Sequence, residues 1–464
     1  MPLENIETIV FLMLENRSFD HALGYLSTAS AAPPMAVEGL RDDPAWRVAR
    51  ANTYAGTVYP LQALGPDFQS MEDPPHDSAA IALQIGLPAR LGDVSPMNGF
   101  VESYVTRRRS PTADPSLVMG YYTKEAVPMF DFFARNYVVC DHWFAALPTG
   151  TQPNRLMAMS GSSSILDNAS VFLASQPLVY DWLTAHGVSW CAYQWGDFFP
   201  FFSLMPHWIP EMMTSLALPG PEMRGRFRRY ENFQEHWLGA ASMPAVIFVE
   251  PEYTDGPHSN PNDDHPPTGI AKGQAFLEDL YRILTSNAAR WRNTLLIVTY
   301  DEHGGFFDHV PPLTIPAKVG GASIGTTGLR VPAFLVSPHV TPGVPFTDPL
   351  DHTSFLQLLA DRFNPGQSYS AEVSLRQAEL GRLSTALTEI PDADYRPTKS
   401  HPALSNLAEL SDMAPRSSGT SDAPSAARTS QAFWNVAQKV QSDHPELVAT
   451  PAWATLSRHL GPLT

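Results

Sequence analysis

The run Ile6-Glu7-Thr8-Ile9-Val10-Phe11-Leu12-Met13-Leu14-Glu15-Asn16-Arg17-Ser18-Phe19-Asp20-His21 decides how the rest of the chain is read. It is apolar almost without break up to Leu14 and rich in β-branched and aromatic side chains. Such a run, bounded by a polar cluster, predicts a strand buried on both faces, as found inside parallel sheets. It ends abruptly in Glu15 and Asn16. In open α/β sheets ligands gather beyond the carboxyl ends of the strands, so an acid and an amide at this point stand where a metal or substrate is held. A plainer reading stands beside this one, in which Ser18 caps a following helix and Glu15 complements that helix's positive end.

A second run, Asn293-Thr294-Leu295-Leu296-Ile297-Val298-Thr299-Tyr300, leads directly into Asp301-Glu302-His303-Gly304-Gly305-Phe306-Phe307-Asp308-His309. Two strands thus deliver an acid-amide and an acid-acid pair to one expected edge. Four oxygen donors, Glu15, Asn16, Asp301 and Glu302, with no cysteine among them, suit Mg²⁺, Ca²⁺ or Mn²⁺ better than a thiolate-rich zinc site, although zinc also accepts carboxylates.

The chain has 464 residues, of which 44% are hydrophobic and 17% charged, so it can bury a large core. We expect one α/β domain, a mostly parallel sheet flanked by helices, where a prior of roughly 150 residues per domain would suggest three. The 44 prolines predict long connections, which in a compact enzyme form site walls or lids. A net charge of −17 disfavours nucleic acid or an anionic membrane as a partner. Cys140 reads as a small buried hydrophobe, and a bridge to Cys191 stays open. No export signal precedes the first strand, so the chain is expected to be cytoplasmic, or exported if its signal is absent from this sequence. No apolar run reaches the roughly 20 residues of a transmembrane helix.

Residues from about Ala31 to Val94 read as loop. Thr151 stands where a helix N-cap should, with Pro153 in the first turn, and a helix start offers a seat for a phosphoryl oxygen. A threonine that only caps its helix fits the same residues. Further strands are expected at Tyr137 to Cys140, Gly187 to Tyr193, Ala245 to Glu250 and Val331 to Val336, with helices around Met129 to Ala134, Gly269 to Leu284 and Phe355 to Phe363. The organisation expected is a catalytic region over 1–411, a Ser-, Ala- and Pro-rich linker over 412–430, and over 431–464 a helix bearing Phe433, Val436, Ala437 and Val440.

Five motifs now stand together: Leu14-Glu15-Asn16-Arg17-Ser18-Phe19-Asp20-His21, Thr151-Gln152-Pro153-Asn154-Arg155, Asp264-His265-Pro266-Pro267, Tyr300-Asp301-Glu302-His303-Gly304-Gly305 with Asp308-His309-Val310-Pro311-Pro312, and Asp351-His352-Thr353-Ser354. The set resembles the bacterial phospholipase C and acid phosphatase family of phosphoesterases, within the alkaline phosphatase-like superfamily. The resemblance implies that fold, with Thr151 as nucleophile beside a metal held by Glu15, Asn16, Asp301 and Glu302. It also implies that His76 and His265 face the phosphate and that His352 reaches back into the site. His265 or His352 would protonate the leaving group, which predicts an acidic optimum. His303 and His309 are held in reserve, and Thr149 is the rival nucleophile. The expected activity is acid phosphatase-like hydrolysis of small phosphomonoesters through a phosphothreonine. The alternatives are a phospholipase C acting on phospholipid headgroup diesters and a non-catalytic protein that binds phosphate or metal.

Overall fold

A computed structural model describes residues 2–65, 71–86, 96–108, 112–169, 173–195, 204–212, 225–253 and 261–389, with 438, 441–442 and 445–449. The expected linker over 412–430 and the four apolar residues of the terminal helix lie outside the described residues.

Seven strands form the main sheet: β1 (Thr8–Leu14), β2 (Val138–Val139), β3 (Trp190–Gln194), β4 (Phe227–Arg229), β5 (Val246–Glu250), β6 (Thr294–Tyr300) and β7 (Ala333–Val336). Their order across the sheet is β2-β7-β6-β1-β5-β3-β4. All neighbours from β6 to β4 pair in parallel, and β7 alone runs against the rest. The α/β expectation with a mostly parallel sheet therefore holds.

Every residue of β1 and of β6 is buried, which is why neither shows the alternation of a half-exposed strand. Their side chains meet helices on both faces. Phe11 stacks on Phe355 of the Thr353–Phe363 helix with ring centres 4.0 Å apart. Tyr300 and Phe334, on the opposite face by register, pack on Phe130 of the Pro128–Asn136 helix. Burying one such aromatic ring contributes about 1.5–3 kcal/mol, so the sandwich fixes strand positions firmly. Among the described residues no helix is long and apolar enough to cross a membrane.

The reading of about Ala31 to Val94 as loop needs correction. It holds helices Pro44–Ala49 and Ser78–Ile85 and a hairpin pairing Asn52–Tyr54 with Thr57–Tyr59. Asp43 and Asp77 start the helices by accepting hydrogen bonds from the amides of Trp46 and Ala80. Elements of three to eight residues are too short for periodicity to register, although their caps were visible. Cys140 and Cys191 are both buried, free thiols.

Candidate active site

Leu14 and Tyr300 are partners in the β1–β6 ladder, so the chain leaves both strands at one level of one edge. Asn16 turns at once into the left-handed region (φ 63°), a conformation that asparagine tolerates better than most residues. Its amide donates to Asp301 Oδ1 at 3.2 Å, and the Glu302 amide donates to the same oxygen at 2.7 Å. Gly304, at φ 66°, returns its amide to Glu302 Oε2 at 2.7 Å. These bonds join Asn16, Asp301 and Glu302, and Glu15 precedes Asn16 in the chain. Asn16 Oδ1, Asp301 Oδ2 and Glu302 Oε1 are buried and accept no hydrogen bond of ordinary geometry. Unsatisfied buried oxygens are rare, and the donor chemistry of these three suits a hard divalent cation, while Glu15 faces Arg155.

Arg155 balances this acidity. Its Nη2 lies 3.2 Å from Glu15 Oε1 and donates to the Met13 carbonyl at 3.0 Å. Nη1 reaches Glu250 Oε2 at 3.3 Å, and Nε stands 4.0 Å from Asp301 Oδ2. Burial works against its charge, but Tyr253, Glu15, Glu250 and Asp301 outweigh that and raise its pKa. The sequence reading assigned no role to Arg155 or Glu250. A signal existed for Glu250: β5, beside β1, also runs out into an acid.

Arg155 belongs to the Thr151–Ser160 helix, whose first residue is Thr151. Gly150 takes the N-cap position without a side-chain bond, which corrects the placement of Thr151 as the cap. The Thr151 hydroxyl therefore does not serve the helix. It lies beside the Asp301 carboxylate and helps to keep it ionised. Asn154 Nδ2 donates to the carbonyls of Leu147, Thr149 and Gly150, bracing the approach to the helix. Thr149, the rival nucleophile, is bonded through its hydroxyl to the Leu166 carbonyl and Asp167 Oδ1.

The histidines divide. His76 Nδ1 donates to the Pro74 carbonyl at 2.7 Å, and its Nε2 is 4.0 Å from Glu302 Oε1. Burial disfavours charge on this ring, yet Glu302, Asp73 and Asp301 raise its pKa to about 9. The His265 ring stands nearly perpendicular to it, with centres 5.8 Å apart. A cavity of about 400 Å³, lined by His76, Gly150, Asp73 and Asp167 among others, opens beside His76. His352 is not brought to that cavity. It is fully buried, with Nε2 donating to the Asp301 carbonyl at 2.6 Å and Nδ1 accepting from Trp143 Nε1 at 3.2 Å. Burial lowers its pKa to about 4, and this geometry does not serve the proton-donor role expected for it. His303 Nε2 donates to Gln84 Oε1 at 2.8 Å, and His309 belongs to a separate cluster with Asp20. Within the acidic pair, burial pushes Asp301 upward, whereas His76 and His303 hold Glu302 below the usual carboxylate range despite burial.

Comparison with known proteins matches residues 6–365 to the Phosphoesterase family. Phospholipase C A of Mycobacterium tuberculosis is 30% identical over 454 residues, 88% of this chain and 82% of its own length. Non-specific phospholipase C6 of Arabidopsis thaliana is 28% identical over 411 residues, 83% of this chain and 74% of its own. Among solved structures, a protein in the alkaline phosphatase superfamily from Vibrio parahaemolyticus matches 59% of this chain and 67% of its own, at 11% identity and a TM-score of 0.33.

Proposed function

The chain belongs to the Phosphoesterase family, and from that premise we propose that it hydrolyses phosphodiesters of the phospholipid type through a phosphothreonine at Thr151. Hydrolysis of phosphoric esters follows from the family. The diester is our choice over the monoester favoured by sequence alone, and the relatives named phospholipase C support it.

The observation that carries the choice is the charge around Thr151. Glu15, Asp301, Glu302 and Glu250 stand against Arg155 and a protonated His76, and a divalent ion, when bound, would bring the balance to four against four. A diester brings one further negative charge and a monoester dianion two, while Glu72, Asp73, Asp77 and Asp167 on the cavity wall, with Arg107 as their counter-charge, already leave it negative. The diester fits this balance better. When bound, the ion supplies positive charge beside the attacking hydroxyl and the phosphoryl oxygens.

Each side chain then has a task. The Thr151 hydroxyl faces the Asp301 carboxylate, an acceptor for its proton. Its oxygen forms the new bond to phosphorus as the bond to the glycerol oxygen breaks, and His265 gives the departing alkoxide its proton. Protonated His76 offsets charge on the equatorial oxygens. Water next attacks the phosphothreonine, which releases the headgroup phosphate and restores the hydroxyl.

The test compares p-nitrophenylphosphorylcholine with p-nitrophenyl phosphate on protein loaded with Mg²⁺, Ca²⁺ or Mn²⁺. We expect the diester to turn over faster, and Thr151→Ala to lose on the order of 10³-fold in kcat with its metal content kept. A faster monoester overturns the substrate, an unchanged Thr151→Ala rate overturns the nucleophile, and bound metal with no turnover makes the chain a binding protein.

A further inference from the structure

Arg17 follows directly on the Glu15-Asn16 pair and is buried, at 1% exposure. Its guanidinium lies over the ring of Phe306 at 4.9 Å and near that of Tyr122 at 5.9 Å. What it holds is backbone. Nε and Nη2 both donate to the Asp264 carbonyl, at 2.9 and 2.6 Å, and Nη2 also donates to the Thr268 carbonyl at 3.0 Å. Nη1 donates to His21 Nε2 at 3.1 Å, and His21 Nδ1 donates in turn to the Gly120 carbonyl at 2.7 Å.

The two gripped carbonyls lie on either side of His265. The same loop meets β1 again where the Glu15 amide donates to the Asp263 carbonyl at 2.8 Å. Asp263 Oδ1 accepts from the His265 amide at 3.1 Å, and the His265 ring bonds through Nδ1 to the Pro266 carbonyl. Asp264 itself sits at φ 73°, which turns its carboxyl towards Tyr300. The segment is neither helix nor strand, and its own bonds are a turn in which the Thr268 amide donates to the His265 carbonyl at 2.9 Å and the contacts of His265 with Asp263 and Pro266, none of which ties it to the site edge. A planar fork with its donors directed to carbonyls 264 and 268 supplies that constraint, and lysine, a point charge on a flexible stem, cannot reproduce it.

We propose that Arg17 is a positioning residue: by gripping the Asp264 and Thr268 carbonyls it fixes the His265 ring relative to the Glu15-Asn16 turn and thus to the phosphorus attacked by Thr151. The inference rests on the site role given to His265 above. A displacement of about 1 Å in a catalytic group costs on the order of 10²-fold in rate.

The test is a double-mutant cycle on the full chain, with phosphatidylcholine in detergent micelles as substrate, whose glycerol alkoxide needs the proton, and with bound Mn²⁺ measured for each variant. Arg17→Gln should lower kcat by about 10- to 100-fold with KM and metal content unchanged. In a His265→Ala background it should cost nothing further, because the ring it places is gone. An additive loss, a loss of metal, or no loss in Arg17→Gln alone overturns the proposal. If His265→Ala keeps its rate, the role given to His265 fails and this proposal falls with it. Should Arg17→Gln not accumulate, Arg17→Lys is read by the same criteria, and failure of both variants to fold assigns Arg17 to the fold and overturns the inference.

Discussion

A buried histidine between one donor and one acceptor has its tautomer decided for it. His352 accepts from the Trp143 indole at Nδ1 and donates from Nε2 to the Asp301 carbonyl, so the neutral ring satisfies both partners and a protonated one would face a donor with a donor. Glutamine carries the same pair of functions, and His352→Gln should therefore keep more than about a tenth of kcat, whereas His265→Gln should lose about 100-fold. Comparable losses in the two variants would return His352 to proton transfer. The Asp-His-Thr-Ser motif placed this histidine correctly at the start of a helix, but motifs carry no information on which way a ring faces. That orientation is decided by Trp143, 209 residues away. Arg155 escaped for a related reason: its task is to balance acids contributed by three strands, and nothing next to it in the chain records them.

At the level of elements, the two strands that carry the site were legible because burial on both faces leaves an unbroken apolar run, and their outflow into acids marked the edge. The turn after β6 was less legible. Gly304 is required there twice over: its φ is 66°, and a Cβ built on it would lie 2.2 Å from the Asn16 carbonyl oxygen, a backbone atom that cannot step aside. Gly304→Ala must therefore push apart the two turns that bring Asn16 and Glu302 together. It should lower the melting temperature and shrink the additional rise on adding Mn²⁺. Gly321→Ala is the matched control, since its φ is 88° with nothing within 4 Å of the added carbon. It should cost only the strain of the left-handed backbone, about 1–2 kcal/mol, and leave the Mn²⁺ response intact. Equal Mn²⁺ responses in the two variants would separate the Gly304 turn from metal binding. Thr151 shows the finer limit of reading elements from sequence: a shift of one position, from N-cap to first helical residue, leaves its hydroxyl beside Asp301 in place of the cap expected of it.

On the scale of the molecule, the −17 net charge coexists with buried acids that must be neutralised one by one. One example apart from the site joins four distant segments. Arg330 bonds Asp20 and Asp308 at 3.1 and 3.0 Å, and His309 bonds Asp20 through Nδ1 at 2.6 Å and Glu38 through Nε2 at 3.1 Å. The edge of Trp46 closes over the imidazole, with ring centres 5.1 Å apart. Partners up to 310 residues apart leave no local pattern, so no reading along the chain could assemble this cluster. Its consequence is a pH dependence of stability. Burial disfavours charge on His309, yet Asp20 outweighs it and the pKa is raised, while Asp20 itself is lowered and stays ionised near neutrality. A histidine whose folded pKa exceeds the ordinary value of about 6.5 stabilises the fold fully below that pH, and the contribution is lost as pH rises through the raised value. Every tenfold gain in the ring's proton affinity on folding is worth about 1.4 kcal/mol, with less owed to the partly exposed Glu38. His309→Gln should thus melt well below the parent at pH 6, and the gap should narrow steadily above about pH 6.5 as the parent's imidazole deprotonates. A gap of constant size from pH 6 to 9 would mean that the ring contributes packing alone, leaving Arg330 as the cation that holds these segments together.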